Sequence, residues 1–349
     1  MVDKDFCLSS YMAFRYTWDP EREYFPGMHH RLRKSVPLSE KTPIAGPEDL
    51  QEAIRKRVDD ALARGKRPGI LLSGGMDSAL VASFLPAGTD AYTFSSDTGV
   101  FDADLERSQR YCNRLGLRHH RVEITFDDFR NLTPAVMQRK CGPVHSIEPQ
   151  LLKAALQARE DGVELLLIGD GADYVFGGMD KLLSQDWTYE AFVRRYIALD
   201  PALVLTHPVD VYAPFRKYKK GEGGIDFQGF MDDLCAEESY SSYENAFLTA
   251  GMDYLDPYED LVMAQPLDLQ RVRRGESKYI VRELHALRYP DIPLAEKIPM
   301  PRPVDAFLRD WKGPQRAEFR QDIPMDRLTG NQKWQLWCAE YFLNLHAND

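Results

Sequence analysis

The sequence of 349 residues lacks the marks of a membrane or secreted protein. No apolar run reaches the roughly 18 residues that a membrane-spanning helix needs. Residues 1–7 show neither the basic start nor the apolar stretch of a signal peptide. We therefore expect a soluble protein of the cytoplasm that has no membrane partner.

Cysteines are few and scattered. They form no Cys-x-x-Cys pair and no cluster with histidine at the spacing of a zinc site. This pattern argues against a disulfide framework or a structural zinc ion, and it predicts reduced thiols. The five cysteines are Cys7, Cys112, Cys141, Cys235 and Cys338.

An excess of basic charge is also missing. The chain has 44 basic and 54 acidic side chains, which gives a formal charge of −10. Proteins that bind nucleic acids usually carry a basic face, so this balance argues against a nucleic-acid partner, with residues 215–220 as a local basic exception. Hydrophobic residues make up 44% of the chain and charged residues 28%, which is typical of globular domains.

The order of predicted elements divides the chain into three parts. Residues 1–47, rich in aromatic residues and prolines, are predicted to form an N-terminal arm over the body. In residues 48–185, helical patterns alternate with short apolar strands, which indicates an α/β fold whose parallel sheet is covered on both faces. Residues 186–349 are predicted to be mostly helical, without further strands and with helices over 227–247 and 258–271.

The strongest chemical signal is the hexapeptide Ser-Gly-Gly-Met-Asp-Ser, which lies between an apolar strand and a helix. Gly74 and Gly75 allow a tight turn and a close approach of the backbone to a ligand. The helix N-terminus offers unpaired N–H groups to an anion, and the hydroxyls of Ser73 and Ser78 add donors. Asp77 would hold Mg²⁺ against a pyrophosphate. The alternative is a simple Gly-Gly turn whose serine caps the helix.

A second glycine-rich turn, Gly-Asp-Gly-Ala-Asp, follows the apolar strand over residues 164–168. It places Asp170 and Asp173 three residues apart. Ligands of open α/β folds bind at the carboxyl ends of the strands, so we expect both carboxylates to face a site there. Two aspartates in a loop often form only a turn, but the preceding strand and the flanking glycines favour a functional site.

Both turns resemble one enzyme superfamily. The hexapeptide resembles the pyrophosphate loop of the N-type ATP pyrophosphatases, which adenylate a substrate and release pyrophosphate. The second turn resembles the Gly-Asp-Gly-Ala-Asp-Glu-Leu-Phe-Gly-Gly motif of the synthase domain of asparagine synthetase, with Tyr174 in place of the glutamate. The resemblance implies an ATP pyrophosphatase-type fold, ATP as cofactor, and Mg²⁺ held by Asp77 and Asp173.

The resemblance assigns further residues to the site. Asp170 falls beside the reacting acyl group, where asparagine synthetase has an acidic residue and β-lactam synthetase a tyrosine. Lys297 matches the family lysine that touches the acyl-adenylate and stabilises charge as the amine attacks, although composition alone would make it a solvated surface lysine. Lys278 and Arg282 resemble a weaker Lys-x-x-Leu-Arg element. The residues expected to bind the nucleotide are Leu71, Ser73, Gly74, Gly75, Asp77, Ser78, Phe94, Ser96 and Gly169.

The resemblance also implies a general base. β-Lactam and carbapenam synthetases use a carboxylate upstream of the lysine that Lys297 matches. Counting back reaches Asp233, Glu237 and Glu238 on a predicted helix; Glu237 or Glu238 is the favoured candidate, although such carboxylates are commonly just solvated. His145 is a positional candidate for an arginine that asparagine synthetase places before the second motif.

The implied function is that of an ATP-dependent ligase that joins a small-molecule carboxylic acid to ammonia or an amine, in specialised biosynthesis such as that of antibiotics. Glutaminase domains of asparagine synthetase begin with cysteine after the initiator methionine, whereas residue 2 here is Val2. We therefore expect the nitrogen to come from free ammonia, a separate glutaminase or another amine, including one in the same substrate. The sequence does not decide whether the protein forms a homodimer. The alternatives are a tRNA-modifying enzyme of the same superfamily, with residues 215–220 as its RNA contact, and an ATP-sensing protein without catalysis.

Overall fold

The computed structural model describes residues 1–294 and 300–347. The strands are β1 (Thr42–Ile44), β2 (Pro68–Leu71), β3 (Asp90–Ser95), β4 (Arg118–Glu123), β5 (Leu165–Leu167), β6 (Lys219–Lys220), β7 (Gly224–Ile225), β8 (Asp253–Leu255) and β9 (Leu261–Met263). The α-helices are α1 (Lys4–Phe14), α2 (Pro47–Leu62), α3 (Met76–Ala82), α4 (Asp102–Leu115), α5 (Phe126–Lys140), α6 (Glu148–Glu160), α7 (Ala172–Val175), α8 (Asp180–Leu183), α9 (Tyr189–Tyr196), α10 (Pro201–Val204), α11 (Ala213–Arg216), α12 (Phe227–Leu234), α13 (Glu237–Thr249), α14 (Leu269–Arg273), α15 (Tyr279–Arg288), α16 (Val304–Phe307) and α17 (Gly330–Leu345). Leu38–Glu40 and Met325–Arg327 form short 3-10 helices.

The central sheet has five parallel strands in the order β4-β3-β2-β5-β8. Its strands are apolar because both faces are covered: Leu166 packs into one hydrophobic core, whereas Leu165 and Leu167 pack into the other. The predicted parallel sheet covered on both faces is therefore confirmed. Strands β3 and β4 lie on one side of β2, and β5 lies on the other. The strand order thus reverses between β2 and β5, and open sheets of this kind bind ligands at such a point.

The C-terminal part is less helical than its sequence predicts. The expectation of no strands after residue 186 is wrong, because β8 joins the central sheet beside β5 and β9 pairs with β1. A three-residue strand is too short to show an alternating pattern. The helix predicted over 258–271 is also wrong. Pro266 lacks the N–H that a helix interior needs, and the Asp268 side chain caps a new helix by accepting from the Gln270 N–H at 2.9 Å. The helix predicted over 227–247 is divided into α12 and α13.

The N-terminal segment is packed into the protein. Nine of the eleven residues of α1 are buried. Its backbone accepts hydrogen bonds from Gln335 of α17, at 3.0 Å on the Tyr11 carbonyl. The helix ends at Phe14, and the next residue, Arg15, adopts a left-handed conformation with φ 67°. The segment predicted as an arm thus supplies core residues and places Arg15 close to α13. In the described ranges, no helix has the length and apolar character needed to cross a membrane.

Candidate active site

A cavity of about 190 Å³ opens at the carboxyl ends of β2, β3 and β5. Ser96, predicted to bind nucleotide, is not part of its lining, and its hydroxyl shares a 2.6 Å hydrogen bond with Thr98. Every other residue predicted to bind the nucleotide or Mg²⁺ contributes to the wall. Those residues are Leu71, Ser73, Gly74, Gly75, Asp77, Ser78, Phe94, Gly169 and Asp173, and Asp170 lies with them.

The loop between β2 and α3 has the shape of an anion cradle. Gly74 has φ +70°, and a Cβ there would lie 2.7 Å from the Arg107 Cβ and 2.8 Å from the Asp104 carbonyl oxygen, so only glycine fits. The two hydroxyls of Ser73 and Ser78 lie 3.1 Å apart. No side chain caps α3, so the N–H groups of its first turn are available to an anion in the cavity.

The two glycine-rich turns touch each other through Gly169. A Cβ at this position would lie 2.9 Å from the Ser78 nitrogen and 3.0 Å from the Asp77 carbonyl carbon. This close backbone approach requires glycine. As a consequence, the turn after β5 brings Asp173 to the same wall as Asp77, although the two residues are far apart in sequence.

Lys278 joins the two predicted metal ligands. Its ammonium lies 2.6 Å from the Asp77 Oδ2 and 2.7 Å from the Asp173 Oδ1, and the residue is only 3% exposed. Burial lowers the pKa of Lys278, but the charges of Asp77 and Asp173 outweigh it and hold that pKa above its usual value. Lys278 is therefore a cation at the point on which both carboxylates converge.

The site fits a magnesium ion bound together with a nucleotide. The carboxylates of Asp77 and Asp173 are the ligand type that Mg²⁺ prefers, and they already share one cation. In residues 1–294 and 300–347, no three His, Cys, Asp or Glu side chains are grouped to hold a metal by themselves. An Mg²⁺ at this point would therefore take its other ligands from phosphate oxygens and water, as is usual for this ion.

Asp170 and Tyr243 of helix α13 also line the cavity. Ser239 donates a 2.6 Å hydrogen bond to Asp170 Oδ2. Burial, reinforced by the charge of Asp256, raises the pKa of Asp170 well above its usual value. Of the two candidate bases, Glu238 acts electrostatically on Asp170, whereas Glu237 accepts a hydrogen bond from the Tyr16 hydroxyl at 3.5 Å. The structure thus brings Glu238 closer to the site than its neighbour.

Several residues that line the cavity were not predicted from the sequence. Asp104, Arg107 and Tyr111 line the cavity from α4, and Tyr243 lines it from α13. Their spacing of three and four residues along α4 marks one face of a helix, which is a signal that the sequence contains. Lys297 lies outside the described residues, so its predicted role remains a prediction.

Asp256 holds the turn that carries Asp170. Its Oδ2 accepts hydrogen bonds from the N–H of Asp170 at 3.1 Å and of Gly171 at 2.7 Å, and its Oδ1 accepts from the N–H of Tyr258 at 3.0 Å. Burial nevertheless raises the pKa of Asp256 to about 7. The carboxyl is thus a buried support whose protonation is coupled to folding.

This coupling predicts a difference between the wild type and Asp256→Asn that depends on pH. Because the folded-state pKa lies above the unfolded value, the stabilisation is complete below the unfolded pKa and is lost as pH rises through about 7. Between pH 4 and 8 the wild type should lose on the order of 3 kcal/mol more unfolding free energy than Asp256→Asn. Urea unfolding at both pH values measures this difference, and parallel losses in the two proteins would refute the assignment. The exposed variant Asp127→Asn serves as control.

The parallel sheet carries a glycine-rich anion loop at the point where its strand order reverses, and this arrangement defines a fold of the ATP pyrophosphatase type. The sequence model of the asparagine synthase family matches residues 49–223, half of the chain. The chain belongs to the asparagine synthase family.

Known relatives match this chain at low identity. Asparagine synthetase (glutamine-hydrolyzing) 3 of Arabidopsis thaliana is 28% identical over 157 residues, which are 41% of this chain and 26% of the relative. Asparagine synthetase B (glutamine-hydrolyzing) of Escherichia coli strain K12 is 24% identical over 184 residues, 46% of this chain and 32% of the relative. The matches thus span a third or less of the length of these relatives.

Among solved structures, the U34-tRNA thiolase NcsA from Methanococcus maripaludis, with its iron–sulfur cluster, covers 72% of this chain and 82% of its own. The sequence identity is 17% and the TM-score is 0.28. That score is too low for the likeness to support an argument about this chain.

Proposed function

We propose that the protein is an ATP-dependent carbon–nitrogen ligase of the cytoplasm. It adenylates a small-molecule carboxylic acid, releases pyrophosphate and passes the acyl group to ammonia or an amine. The observation that carries this proposal is the convergence of Asp77 and Asp173 on one cation, Lys278, beside an anion loop. Such an arrangement is suited to a leaving pyrophosphate, because it combines N–H donors, a fixed ammonium and carboxylates for a metal.

The proposed reaction has two steps. First, a carboxylate oxygen of the acid attacks the α-phosphorus of ATP, and the bond from that phosphorus to the bridging oxygen breaks to release pyrophosphate. The nitrogen lone pair of the donor then attacks the acyl carbon, the bond from that carbon to the AMP oxygen breaks, and the nitrogen loses a proton. The donor is ammonia or an amine, supplied free, by a separate glutaminase or by the substrate itself.

The residues of the cavity divide this work. The loop from Ser73 to Ser78 binds the pyrophosphate through N–H and hydroxyl groups, and Lys278 supplies positive charge beside it. Mg²⁺, when held by Asp77 and Asp173, neutralises charge on the phosphate oxygens.

The part of the cavity wall at Asp170 is the proposed acyl end. The charge of Asp170 acts on Tyr174, whose ring packs edge-on against Tyr240 at 5.7 Å between centroids. Because Tyr174 replaces the glutamate of the family motif, we propose an acid other than aspartate and a role in specialised small-molecule biosynthesis. Lys297 contacts the acyl-adenylate in this proposal, on the strength of the motif that surrounds it, and Glu238 is the favoured base.

A pyrophosphate-release screen over carboxylic acids, followed by amines, tests the proposal. We expect release to require one class of acid, and amide formation to fall about a hundredfold or more in Lys297→Ala, since a fixed charge near the oxyanion is lost. Lys312→Ala, at an exposed lysine, is the matched control.

The same screen separates the proposal from its rivals. Release that depends on tRNA and not on a small acid would favour a tRNA-modifying enzyme. Binding of ATP without release in the presence of any acid would favour an ATP sensor. Unchanged amide formation in Lys297→Ala would remove that residue from the mechanism.

A further inference from the structure

Two arginines from opposite ends of the chain interact with helix α13, whose Tyr243 lines the cavity. Arg15 reaches α13, where its guanidinium lies 3.9 Å from Glu238 Oε2. Arg302 lies close enough to Arg15 and Glu238 to interact electrostatically with both. Tyr243, which lines the cavity, interacts with the charges of both Asp170 and Arg302 and so connects the arginines to the acyl end.

Polar groups in this cluster lack partners. The Nε atoms of Arg15 and Arg302 and both ring nitrogens of His145 are shielded from solvent, and none has a hydrogen-bond partner in the part of the chain that the structure describes. His145 is only 4% exposed, and its Nδ1 lies 3.5 Å from Glu238 Oε1. Shielded polar groups without partners are rare in folded proteins, and a bound ligand would supply the missing partners.

The cluster also has a surplus of positive charge. Glu238 acts electrostatically on Arg302, and its distance of 3.9 Å from the Arg15 guanidinium exceeds that of a hydrogen bond. Arg302 forms no ion pair with any described residue. Burial and the neighbouring charge of Arg15 lower the pKa of Arg302 to about 10. Arg302 is half-buried, and a cation that is partly removed from water is costly unless an anion compensates it.

We propose that Arg15 and Arg302 form a subsite for an anionic group of the substrate, so that the acid to be adenylated carries a second oxyanion besides its reacting carboxylate. This inference rests on the proposed function and specifies its substrate class. Both arginines lie outside residues 49–223, the part matched by the asparagine synthase family.

The chemistry of arginine suits this role. A guanidinium binds a carboxylate or phosphate group through two parallel N–H donors, which fixes the position of the anion as well as its charge. With its second oxyanion on the arginines, the substrate would present the reacting carboxylate near Asp170, facing the pyrophosphate loop. Arg15 and Arg302 are then specificity-determining residues, and the neutral ring of His145 adds a donor to the anion.

The test compares glutarate, its monoamide glutaramate and 4-phosphonobutyrate as probes on the wild type, Arg302→Gln and Arg15→Gln. Arg309→Gln, at an exposed arginine of the same segment, is the control. Melting temperature in a titration of each probe reports binding, and isothermal titration with Mg²⁺ and ATP reports nucleotide affinity. We expect glutarate or 4-phosphonobutyrate to bind the wild type and the control at least tenfold more tightly than glutaramate. Whichever of the two binds more tightly identifies the oxyanion as a carboxylate or as a phosphate-type group.

Arg302→Gln should lose this preference and keep the affinity for ATP, and Arg15→Gln should weaken it in the same direction. Without any probe, the melting temperature of Arg302→Gln should equal or exceed that of the wild type, because a half-buried cation that forms no ion pair with a described residue has been removed; a purely structural arginine would lower it. Equal affinity for glutarate, 4-phosphonobutyrate and glutaramate in the wild type, or an unchanged preference in both variants, overturns the inference. Failure of the proposed function is a different result: ATP does not bind, or it is not cleaved to AMP, whatever the probes do.

Discussion

Replacing Asp77 with alanine is expected to lower acid-dependent pyrophosphate release about a thousandfold or more. Asp77 supplies one of the two carboxylates that converge on Lys278. It lies in the first turn of α3, directly after the anion loop. Its loss removes a ligand for the ion that would neutralise the triphosphate, which is worth several kcal/mol of transition-state stabilisation. The measurement is the initial rate of pyrophosphate release at saturating ATP.

A matched control separates this effect from a general loss of structure. Asp127 is an exposed aspartate in the first turn of α5, where it pairs with Arg130 at 2.6 Å, and Asp127→Ala should retain the full rate. Thermal unfolding of Asp77→Ala checks that the fold persists. A folded Asp77→Ala variant that releases pyrophosphate at the wild-type rate would show that the metal assignment is wrong.

Replacing Lys278 with methionine should have the second-largest effect, with two separate consequences. Pyrophosphate release should fall about a hundredfold or more, because a fixed positive charge beside the leaving group is lost. In the presence of a metal chelator, the variant should also unfold at a lower temperature than the wild type, because Asp77 and Asp173 lose the ammonium that they share.

Titration with Mg²⁺ provides the sharper measurement for Lys278. In the wild type the ammonium and the ion compete for the same two carboxylates, so we expect Mg²⁺ alone to raise the melting temperature of Lys278→Met more than that of the wild type. Lys312→Met should behave as the wild type does. Equal stabilisation of Lys278→Met and the wild type by Mg²⁺ would contradict the shared site.

Much of the site was predictable because its loops are contiguous in sequence. The turn at Gly74 and the turn at Gly169 each follow an apolar strand, and parallel strands place their carboxyl ends at one edge. The contact between Gly169 and Ser78 was not predictable, because it depends on β2 and β5 being neighbours in the sheet.

The remainder depends on contacts between distant elements. Strand β8 has only three residues, and it is defined by its pairing with β5. Arg15 directly follows α1 and Glu238 lies on α13, and the sequences of these two helices do not indicate that they approach each other. Lys278 belongs to a motif with only a weak resemblance to the family, and its position between the carboxylates of Asp77 and Asp173 is seen only in the structure. Local sequence patterns contain no information on such pairs.

The central claim is that a carboxylate of the substrate attacks the α-phosphorus of ATP. The most direct test supplies the acid found in the pyrophosphate-release screen with ¹⁸O in its carboxyl group, together with ATP, Mg²⁺ and the nitrogen donor, and analyses the nucleotide products by mass spectrometry. The account predicts AMP that carries one ¹⁸O atom, because the oxygen that attacked phosphorus leaves with AMP when the amide forms. ADP with labelled phosphate, or AMP without the label, would contradict it.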